Sequence, residues 1–336
     1  MTNLQTIWFV LIFVLLAGYA ILDGFDLGVG VLHLFARDER DRRTALQAIG
    51  PVWDGNEVWL LTAGGALFAA FPAVYATVFS GFYLALVLLL VALIGRAIAV
   101  EFRSKVESPA WRRVWDTIFA IGSLLVTLLL GVALGNILRG VPVNAGGEYT
   151  GAFLQLLNPY AVLIGVLAIA TFTWHGAIYL AGKADGPMRE RLMRLAAPEG
   201  ILALVLYMAG VATSYAFSPF LFEGSPLVWI LVAVVVGGIV LALALVRRGR
   251  FGGALAASSL TLGAMIAQTG AALFPRLVPS ITDLAYSLTA ANASSTEPTL
   301  WAMLIIALVG MPLVLAYTIW AHWVFRGKVV ISDEGY

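Results

Sequence analysis

Nine long apolar runs, divided by short segments that are charged or rich in Gly and Pro, constrain this fold more than any other feature of the sequence. A helix needs about 20 apolar residues to cross the hydrocarbon core of a bilayer. Inside lipid, the backbone polar groups of such a run must be paired within the run, so each run is expected to be helical. The runs cover residues 5–33, 56–74, 76–96, 116–138, 160–181, 199–217, 227–246, 253–274 and 300–325. The sequence therefore predicts an all-α, polytopic integral membrane protein with about nine transmembrane helices.

The composition excludes a water-soluble globular protein. Hydrophobic residues make up 61% of the 336 residues and charged residues only 12%, and the mean hydropathy is +0.94. No stretch is polar enough to form a separate soluble domain, so we expect a single integral membrane domain over residues 1–336. The chain has no Cys, which excludes disulfides, thiolate metal sites and iron–sulfur clusters. Phosphate loops, zinc patterns and nucleophile elbows are also absent, so we assign no metal ligand and no catalytic residue.

The distribution of Lys and Arg predicts the orientation. Of the 20 basic residues, 17 follow the first, third, fifth, seventh and ninth runs, while Arg139 and Arg276 lie opposite and Arg96 lies near the end of the third run. Because positive residues are retained on the cytoplasmic side, we expect the N-terminus outside and the C-terminus in the cytoplasm. The first basic residue is Arg37, so the N-terminus lacks the basic region of a cleavable signal peptide and the first run is expected to be retained.

Two carboxylates lie within the first run, where their burial is costly. Asp23 and Asp26 share one helical face with Gly30 and His33. A helix that starts near residue 5 places Asp26 about 30 Å along its axis, near the inner edge of the hydrocarbon. A carboxylate at this depth must be paired, hydrated or protonated. Asp26 is therefore interpreted either as the partner that neutralises Arg96 or as a group that moves protons, and one residue can do both.

The segment WDGNEVW, residues 53–59, admits two interpretations at the start of the second run. Asp54 as the N-cap residue and Glu57 at the third helical position would form an acidic capping box. Alternatively, Asp54, Asn56 and Glu57 form the mouth of a hydrated groove that leads to Asp26.

Further charges lie at the inner end of the third run. Glu101 and Arg103 follow Arg96 and, by themselves, have the pattern of interfacial charges whose long stems lie along apolar surface. Topology places them level with Asp26 and Asp54. Whether the helix faces that carry these groups converge stays open at this point.

The chain contains three His residues. His33 and His322 lie near inner helix ends, where a hydrogen-bonded role is expected. His175 lies within the fifth run and is the one candidate for binding a haem iron or a quinone oxygen. Because a dihaem helix bundle needs several His residues at membrane depth, we expect the chain to bind no haem.

Several stretches together resemble subunit II of the cytochrome bd-type quinol oxidases, the cytochrome bd or cyanide-insensitive oxidase family. They run over most of the chain in the family's order: GYAILDGFDLGVGVL, WDGNEVWLLTAGGALFAAFPAVYATVFSGFYLAL, RSKVESPAWRRVWD, GVPVN with YTGAFLQLLNPYAVLIG, and AALFPRLVPS with SLTAANASS. The resemblance implies two four-helix bundles plus one peripheral helix. The first bundle is expected within about residues 1–140, and the second bundle with the peripheral helix within about residues 155–328.

The resemblance also implies a respiratory complex in the bacterial cytoplasmic (inner) membrane. A larger subunit I holds haems b558, b595 and d (or b), quinol is oxidised, and O2 is reduced to water with protons drawn from the cytoplasm. Subunit II carries no haem, although some members hold a structural quinone in it. The expected partners are subunit I, membrane lipid and a small single-span subunit, with quinol and O2 reached through subunit I and no nucleic acid.

Site residues carry over where the motifs match. Asp26 of DGFD matches the family's proton-path aspartate, and Asp54 of WDGN matches the acidic residue that guides protons toward subunit I. Arg96 falls where the family has a structural arginine. Glu101 falls at the channel mouth, where some members have Asp. We add Glu57 and Asp23 to the expected pathway because of their position beside these residues.

Two other classes of function remain open. A secondary transporter could use Asp23 and Asp26 to bind a proton or cation coupled to a solute, although no run shows the central Gly/Pro break of a discontinuous binding helix. A purely structural membrane anchor would need no proton role for either carboxylate.

Overall fold

Eleven α-helices form the protein, as seen in a computed structural model that describes residues 1–223 and 225–330. A two-stranded antiparallel ribbon, β1 (Arg276–Val278) with β2 (Leu288–Thr289), joins the last two helices. The helices are α1 (Asn3–His33), α2 (Glu39–Ile49), α3 (Trp53–Ala70), α4 (Pro72–Gly81), α5 (Tyr83–Phe102), α6 (Pro109–Arg139), α7 (Pro159–Lys183), α8 (Gly186–Phe217), α9 (Pro226–Arg247), α10 (Phe251–Leu273) and α11 (Glu297–Val324). The prediction of an all-α polytopic membrane protein is confirmed.

Eight helices in the described part of the chain are long and apolar enough to cross a membrane, namely α1 and α5 to α11. The predicted span 56–74 corresponds to α3, whose first turns carry Asp54, Asn56 and Glu57 and are therefore less apolar. That α3 crosses the membrane stays a prediction.

The predicted division near Phe71–Pro72 is present, but the third predicted span starts too early. Pro72 lacks a backbone N–H and begins the short helix α4, so α5 begins only at Tyr83 instead of at residue 76.

Helix α1 lies at the centre of the fold and packs against α3, α6, α7 and α10. Its approach to α7 requires small residues, because a Cβ at Gly28 would lie 1.9 Å from the carbonyl oxygen of Phe172. Gly131 of α6 faces Gly165 of α7 in the same way, with 2.7 Å between an added Cβ and the Gly165 Cα. Close backbone approach at small residues is the usual mode of helix packing in lipid.

Helix α11 lies at the periphery. In the described chain it contacts chiefly α1 and α3, and its most buried residues are Leu300 and Ala321. Large apolar side chains such as Ile306 and Leu308 are exposed along it. The grouping of the remaining helices into two bundles stays a prediction.

The two ends of the helices differ in chemistry. One end, here called the loop end, is formed by residues 140–158 and 274–296, which pack against each other; the Ser280 hydroxyl donates to the Val143 carbonyl over 2.9 Å. The other, here called the basic end, is formed by residues 33–53 and 101–117. Helix α1 begins at the loop end, where the Gln5 side chain bonds Ser294 over 2.7 Å, and ends at the basic end.

Candidate functional site

A buried guanidinium joins two carboxyl groups near the basic end. Arg96 of α5 is fully buried, and its Nη2 donates to Asp23 Oδ1 of α1 over 3.0 Å. Its Nη1 donates to Glu57 of α3, whose side chain is 23% exposed. Gly122 of α6 allows α5 to approach at this level, since a Cβ there would lie 3.0 Å from the Ala92 carbonyl oxygen. Because a buried cation is tolerated only when it is paired, Arg96 holds α1, α3 and α5 together.

Asp26 is not the ion-pair partner of Arg96, so that sequence-based interpretation is wrong. Asp26 is fully buried and accepts a hydrogen bond from Asn56 Nδ2 over 2.7 Å. Asp23 and Asp26 lie about one helical turn apart on α1. The Arg96 guanidinium contacts α1 at the level of Asp23, whereas Asn56 of α3 contacts it at the level of Asp26. Asp23 therefore fixes α1 against α5, and Asp26 has no cationic partner within ion-pair distance among residues 1–223 and 225–330.

Several polar atoms of this cluster are buried without a hydrogen-bond partner among the described residues. They are Asp26 Oδ1, Asp23 Oδ2, Arg96 Nε and the hydroxyl of Tyr19. Buried polar atoms are nearly always paired with protein or ordered water, so these atoms mark positions where ordered water can bind. We call Asp23, Asp26, Asn56, Glu57 and Arg96 the Arg96 cluster.

The two remaining predicted site residues lie on the surface. Asp54 is exposed in the first turn of α3, where the N-cap position is Val52 and no side chain caps the helix. The predicted capping box is therefore wrong, because Asp54 already lies inside the helix and Glu57 turns toward Arg96. Glu101 is exposed at the end of α5 and makes no contact with the Arg96 cluster in the described chain.

A second charged cluster lies nearer the basic end. Arg103 follows α5 and is only 2% exposed in its side chain, so the expectation of an interfacial charge is wrong. Its guanidinium donates to Asp116 of α6 over 2.5 Å and to Glu39 of α2 over 2.8 Å. Asp116 also bonds His33, whose Nε2 lies 2.6 Å from Asp116 Oδ1, and Arg42 lies 3.7 Å from its other oxygen. The sequence signal for this cluster was Asp116 itself, the one acidic residue of its run.

His175 does not fit a haem ligand. It is fully buried, its Nδ1 lies 2.7 Å from the Ser258 hydroxyl, and its Nε2 donates to the Ile21 carbonyl over 3.0 Å. With both ring nitrogens engaged, no lone pair faces a cofactor site, and the residue joins α1, α7 and α10. His322 likewise donates from Nδ1 to the Thr318 carbonyl over 2.9 Å. Among residues 1–223 and 225–330, no group of three His, Asp or Glu side chains is arranged to hold a metal ion.

An apolar cavity of about 230 Å³ lies between α1, α6, α7, α8 and α10. Its wall is mainly aliphatic, with Leu130, Ile164 and Leu167 among the lining residues. One polar pair stands in the wall: the Tyr207 hydroxyl donates to Gln268 Oε1 over 2.6 Å. The cavity is suited to an apolar group that offers a hydrogen-bonding oxygen.

Known proteins of similar sequence and fold were found by comparison. The family model described as cytochrome bd terminal oxidase subunit II matches residues 4–325. Cytochrome bd-I ubiquinol oxidase subunit 2 of Escherichia coli K12 is 38% identical over 364 aligned residues, which cover 98% of this chain and 96% of that protein. Cytochrome bd ubiquinol oxidase subunit 2 of Bacillus subtilis is 36% identical over 98% of each chain. A chain in the structure of bd oxidase from Geobacillus thermodenitrificans has the same fold, with a TM-score of 0.81 at 18% identity over 96% of this chain and 99% of that one.

Proposed function

Since the chain belongs to the cytochrome bd terminal oxidase subunit II family, we propose that it is the haem-free subunit of a membrane quinol:oxygen oxidoreductase. In this proposal it supports a haem-bearing subunit I and lines part of the proton route for the reduction of O2 to water. The observation that carries the proposal is the match over residues 4–325, which includes every residue of the Arg96 cluster.

The proposed proton route runs from the basic end to the Arg96 cluster. Asp54 is exposed at the surface and collects protons there, with Glu101 as a further acidic group at the same end. Asn56, two residues beyond Asp54, bonds Asp26, and Glu57 joins the same helix to Arg96. Asp26 is the proton acceptor, and Asp23 and Arg96 hold it in place.

The charges of the Arg96 cluster support this route. The Arg96 cluster holds three carboxyl groups and one guanidinium: Asp23 and Glu57 pair with Arg96, whereas Asp26 is bonded by the neutral Asn56 amide. Burial of a carboxylate without a cationic partner costs several kcal/mol of free energy. Protonation of one carboxylate of the cluster removes this cost. The proton held in this way is the one that moves when the subunit I reaction consumes protons.

Orientation and localisation complete the proposal. The basic end holds eight Lys and Arg residues within residues 33–53 and 101–117, and in this proposal it lies in the cytoplasm, with the N-terminus outside, in the bacterial inner membrane. Helices α1, α3, α5 and α6 form the first bundle, α7 to α10 form the second, and α11 is the peripheral helix. A small single-span subunit would contact an exposed face of this assembly.

Cofactors are assigned by the same reasoning. Haems b558, b595 and d (or b) belong to subunit I, since the one His at membrane depth in this chain has both ring nitrogens engaged. A structural quinone fits the apolar cavity: its ring oxygen would bond Tyr207 or Gln268 and its tail would lie along the aliphatic wall.

The transporter alternative has less support. A binding site in a discontinuous helix is expected in that class, but α1 runs unbroken from Asn3 to His33 through both Asp23 and Asp26.

Replacement of Asp54 by Asn in the assembled complex tests the proposed route. We expect O2 consumption to fall by about tenfold or more, because a proton-transfer group contributes on the order of 10²–10⁴ in rate and Glu101 remains as a further acidic group at the same end. The haem absorbance spectrum stays unchanged. Glu107→Gln, an exposed acidic residue at the same end, is the matched control and leaves turnover at the native rate. Native turnover in Asp54→Asn would remove Asp54 from the route.

A further inference from the structure

The turn between α9 and α10 concentrates positive charge at one point of the protein surface. Between residues 226 and 275 the sequence contains three charged residues, and all three lie in this turn: Arg247, Arg248 and Arg250. We call these three residues the arginine turn. Each is exposed, and none forms an ion pair with a residue of 1–223 or 225–330. Three guanidinium groups are therefore presented together without a carboxylate of the described chain.

Hydrogen bonds at the end of α9 fix the backbone of the arginine turn. Gly249 has a φ of +67°, which glycine adopts without steric cost. The Gly249 N–H donates to the Val246 carbonyl over 2.9 Å. The Arg250 N–H donates to the Leu245 carbonyl, also over 2.9 Å. Because such bonds close the end of a helix, the three side chains extend from one well-defined turn.

A fourth guanidinium lies beside the arginine turn. Phe251 directly follows Arg250 and begins α10. Arg189, in the first turn of α8, lies over the Phe251 ring with 4.7 Å between its Cζ and the ring centroid. The ring attracts this cation but does not neutralise its charge, and Arg189 forms no ion pair with a residue that the structure describes. Arg189 therefore adds to the positive charge at this point.

Contacts of α7 place these arginines at the basic end. The Tyr179 hydroxyl, one turn before the end of α7, donates to the Ala48 carbonyl over 2.7 Å, and Ala48 belongs to the segment 33–53. At the end of α7, a Cβ at Gly182 would lie 3.6 Å from the Cβ of Phe251. The arginine turn therefore lies at the same end of the helices as the two charged clusters.

The length of α9 places the arginine turn at the level of lipid headgroups. The helix has 22 residues, which is about 33 Å at 1.5 Å per residue, and the hydrocarbon core of a bilayer is about 30 Å thick. No charged residue precedes Arg247 in α9, and the side chains of Val240 and Leu241 are exposed. When α9 crosses the apolar layer, the arginine turn emerges at the depth of the lipid phosphate groups.

Positive charge at the basic end is unevenly compensated. Residues 33–53 and 101–117 contain eight basic and six acidic residues, and several of these form ion pairs. The other side of this end, residues 183–194, 247–250 and 326–328, contains nine basic and two acidic residues. The excess of positive charge is thus seven on the side of the arginine turn and two on the opposite side. An anionic ligand is attracted to the side with the larger excess.

We propose that the arginine turn and Arg189 bind the phosphate groups of an anionic phospholipid in the leaflet at the basic end. Arginine N–H groups match phosphate oxygens in bidentate geometry, and basic pockets between spanning helices bind such headgroups. The acyl chains lie along exposed apolar side chains of α9 and α10, such as Leu241 and Leu260. The inference uses the membrane location of these helices and not the oxidase activity, so either proposal can fail without the other.

The competing interpretation is that the three arginines only orient the helices during insertion, as positive residues in short loops do. Under that interpretation the assembled protein has no preference for anionic lipid at this turn. A free phosphate ion offers the same chemistry without acyl chains, and the depth of the turn favours the lipid.

The test measures lipid bound to the whole protein, purified from its membrane in mild detergent with its bound partners. The protein is equilibrated in mixed micelles with equal amounts of phosphatidylglycerol and phosphatidylcholine, and native mass spectrometry counts the retained lipids over a titration. We expect preferential retention of phosphatidylglycerol. The triple variant Arg247→Gln, Arg248→Gln, Arg250→Gln is expected to bind it about a hundredfold more weakly, because each basic residue near an anionic surface contributes about fivefold.

A second triple variant, Arg40→Gln, Lys105→Gln, Arg113→Gln, is the matched control. It removes the same charge from exposed residues on the opposite side of the basic end, and it is expected to retain phosphatidylglycerol as the native protein does. An equal loss in both triple variants would overturn the proposed site. Size-exclusion chromatography checks the folding of each variant. If the first triple variant does not fold, Arg248→Gln alone keeps two charges for insertion and is expected to weaken binding about fivefold.

Two results on the native protein would overturn the proposal without any variant. One is equal retention of phosphatidylglycerol and phosphatidylcholine, which would leave the arginines with a role in insertion only. The other is complete displacement of the bound lipid by excess inorganic phosphate, which would assign the turn to a free ion. Preferential retention that persists in excess inorganic phosphate is the expected result.

Discussion

Replacement of Arg96 by Met removes the cation that holds three helices near the basic end. In the native protein, Arg96 is fully buried and pairs with Asp23 and Glu57. Met fills a similar volume but leaves two carboxyl groups without their partner. Removal of one member of a buried ion pair typically costs about 3–5 kcal/mol. Because Glu57 is 23% exposed and can be hydrated, we expect the lower end of this range, about 3 kcal/mol.

A loss of about 3 kcal/mol lowers the ratio of folded to unfolded protein by about two orders of magnitude. The assay is thermal inactivation of the purified complex in mild detergent, followed by co-elution of both subunits and retention of haem absorbance. Arg139→Met is the matched control, since Arg139 is exposed at the loop end and exposed charges contribute at most about 1 kcal/mol.

The triple variant Arg96→Met, Asp23→Asn, Glu57→Gln tests the physical cause. Replacement of a whole buried ionic group by neutral residues is often neutral in stability, so the triple variant is expected to regain much of the loss. Native stability in Arg96→Met, or a triple variant no more stable than Arg96→Met, would refute the assignment of Arg96 as the paired centre of the cluster.

Two further predictions concern packing and cofactors. Gly28→Ala is expected to abolish assembly, because its Cβ would lie 1.9 Å from a backbone oxygen of α7. Gly64→Ala is the control and is expected to assemble, because nothing lies within 4 Å of a Cβ there. Size-exclusion chromatography of both variants measures assembly, and failure of both would contradict the packing argument. His175→Ala is expected to lower the stability of the protein through loss of its hydrogen bonds to Ser258 and Ile21. The haem absorbance of the intact complex is expected to stay unchanged. Loss of one haem signal from intact complex would contradict a purely structural role for His175.

Hydrophobic pattern predicted most of the fold because membrane spans are selected by length and apolarity, which a sequence displays directly. The start of α5 was misplaced because α4 has no charged residue that would divide it from the span that follows, and only the geometry of Phe71 and Phe82 separates the three helices. The polar first turn of α3 lies before the predicted run that starts at residue 56, so the sequence placed the start of this helix three residues too late.

The members of the candidate site could be found from the sequence, but their pairing could not. Asp23, Asp26 and Arg96 stand out because charges are rare within apolar runs. Asp23 and Asp26 lie about one helical turn apart on α1, and the depth at which Arg96 of α5 meets α1 decides which of them pairs with the guanidinium. A topology inferred from sequence does not fix the relative depth of two helices to within one turn. The His33–Asp116 bond joins residues 83 positions apart and follows from the packing of α1 on α6, which no local pattern encodes.

Isolation of the tagged chain from its native membrane in mild detergent distinguishes an oxidase subunit from a chain that acts alone. We expect co-elution with a larger haem-bearing subunit, three haem signals in the complex, and quinol-dependent O2 consumption that is lost when the two subunits are separated. A colourless chain that elutes alone, without haem or oxidase activity in the preparation, would contradict this expectation.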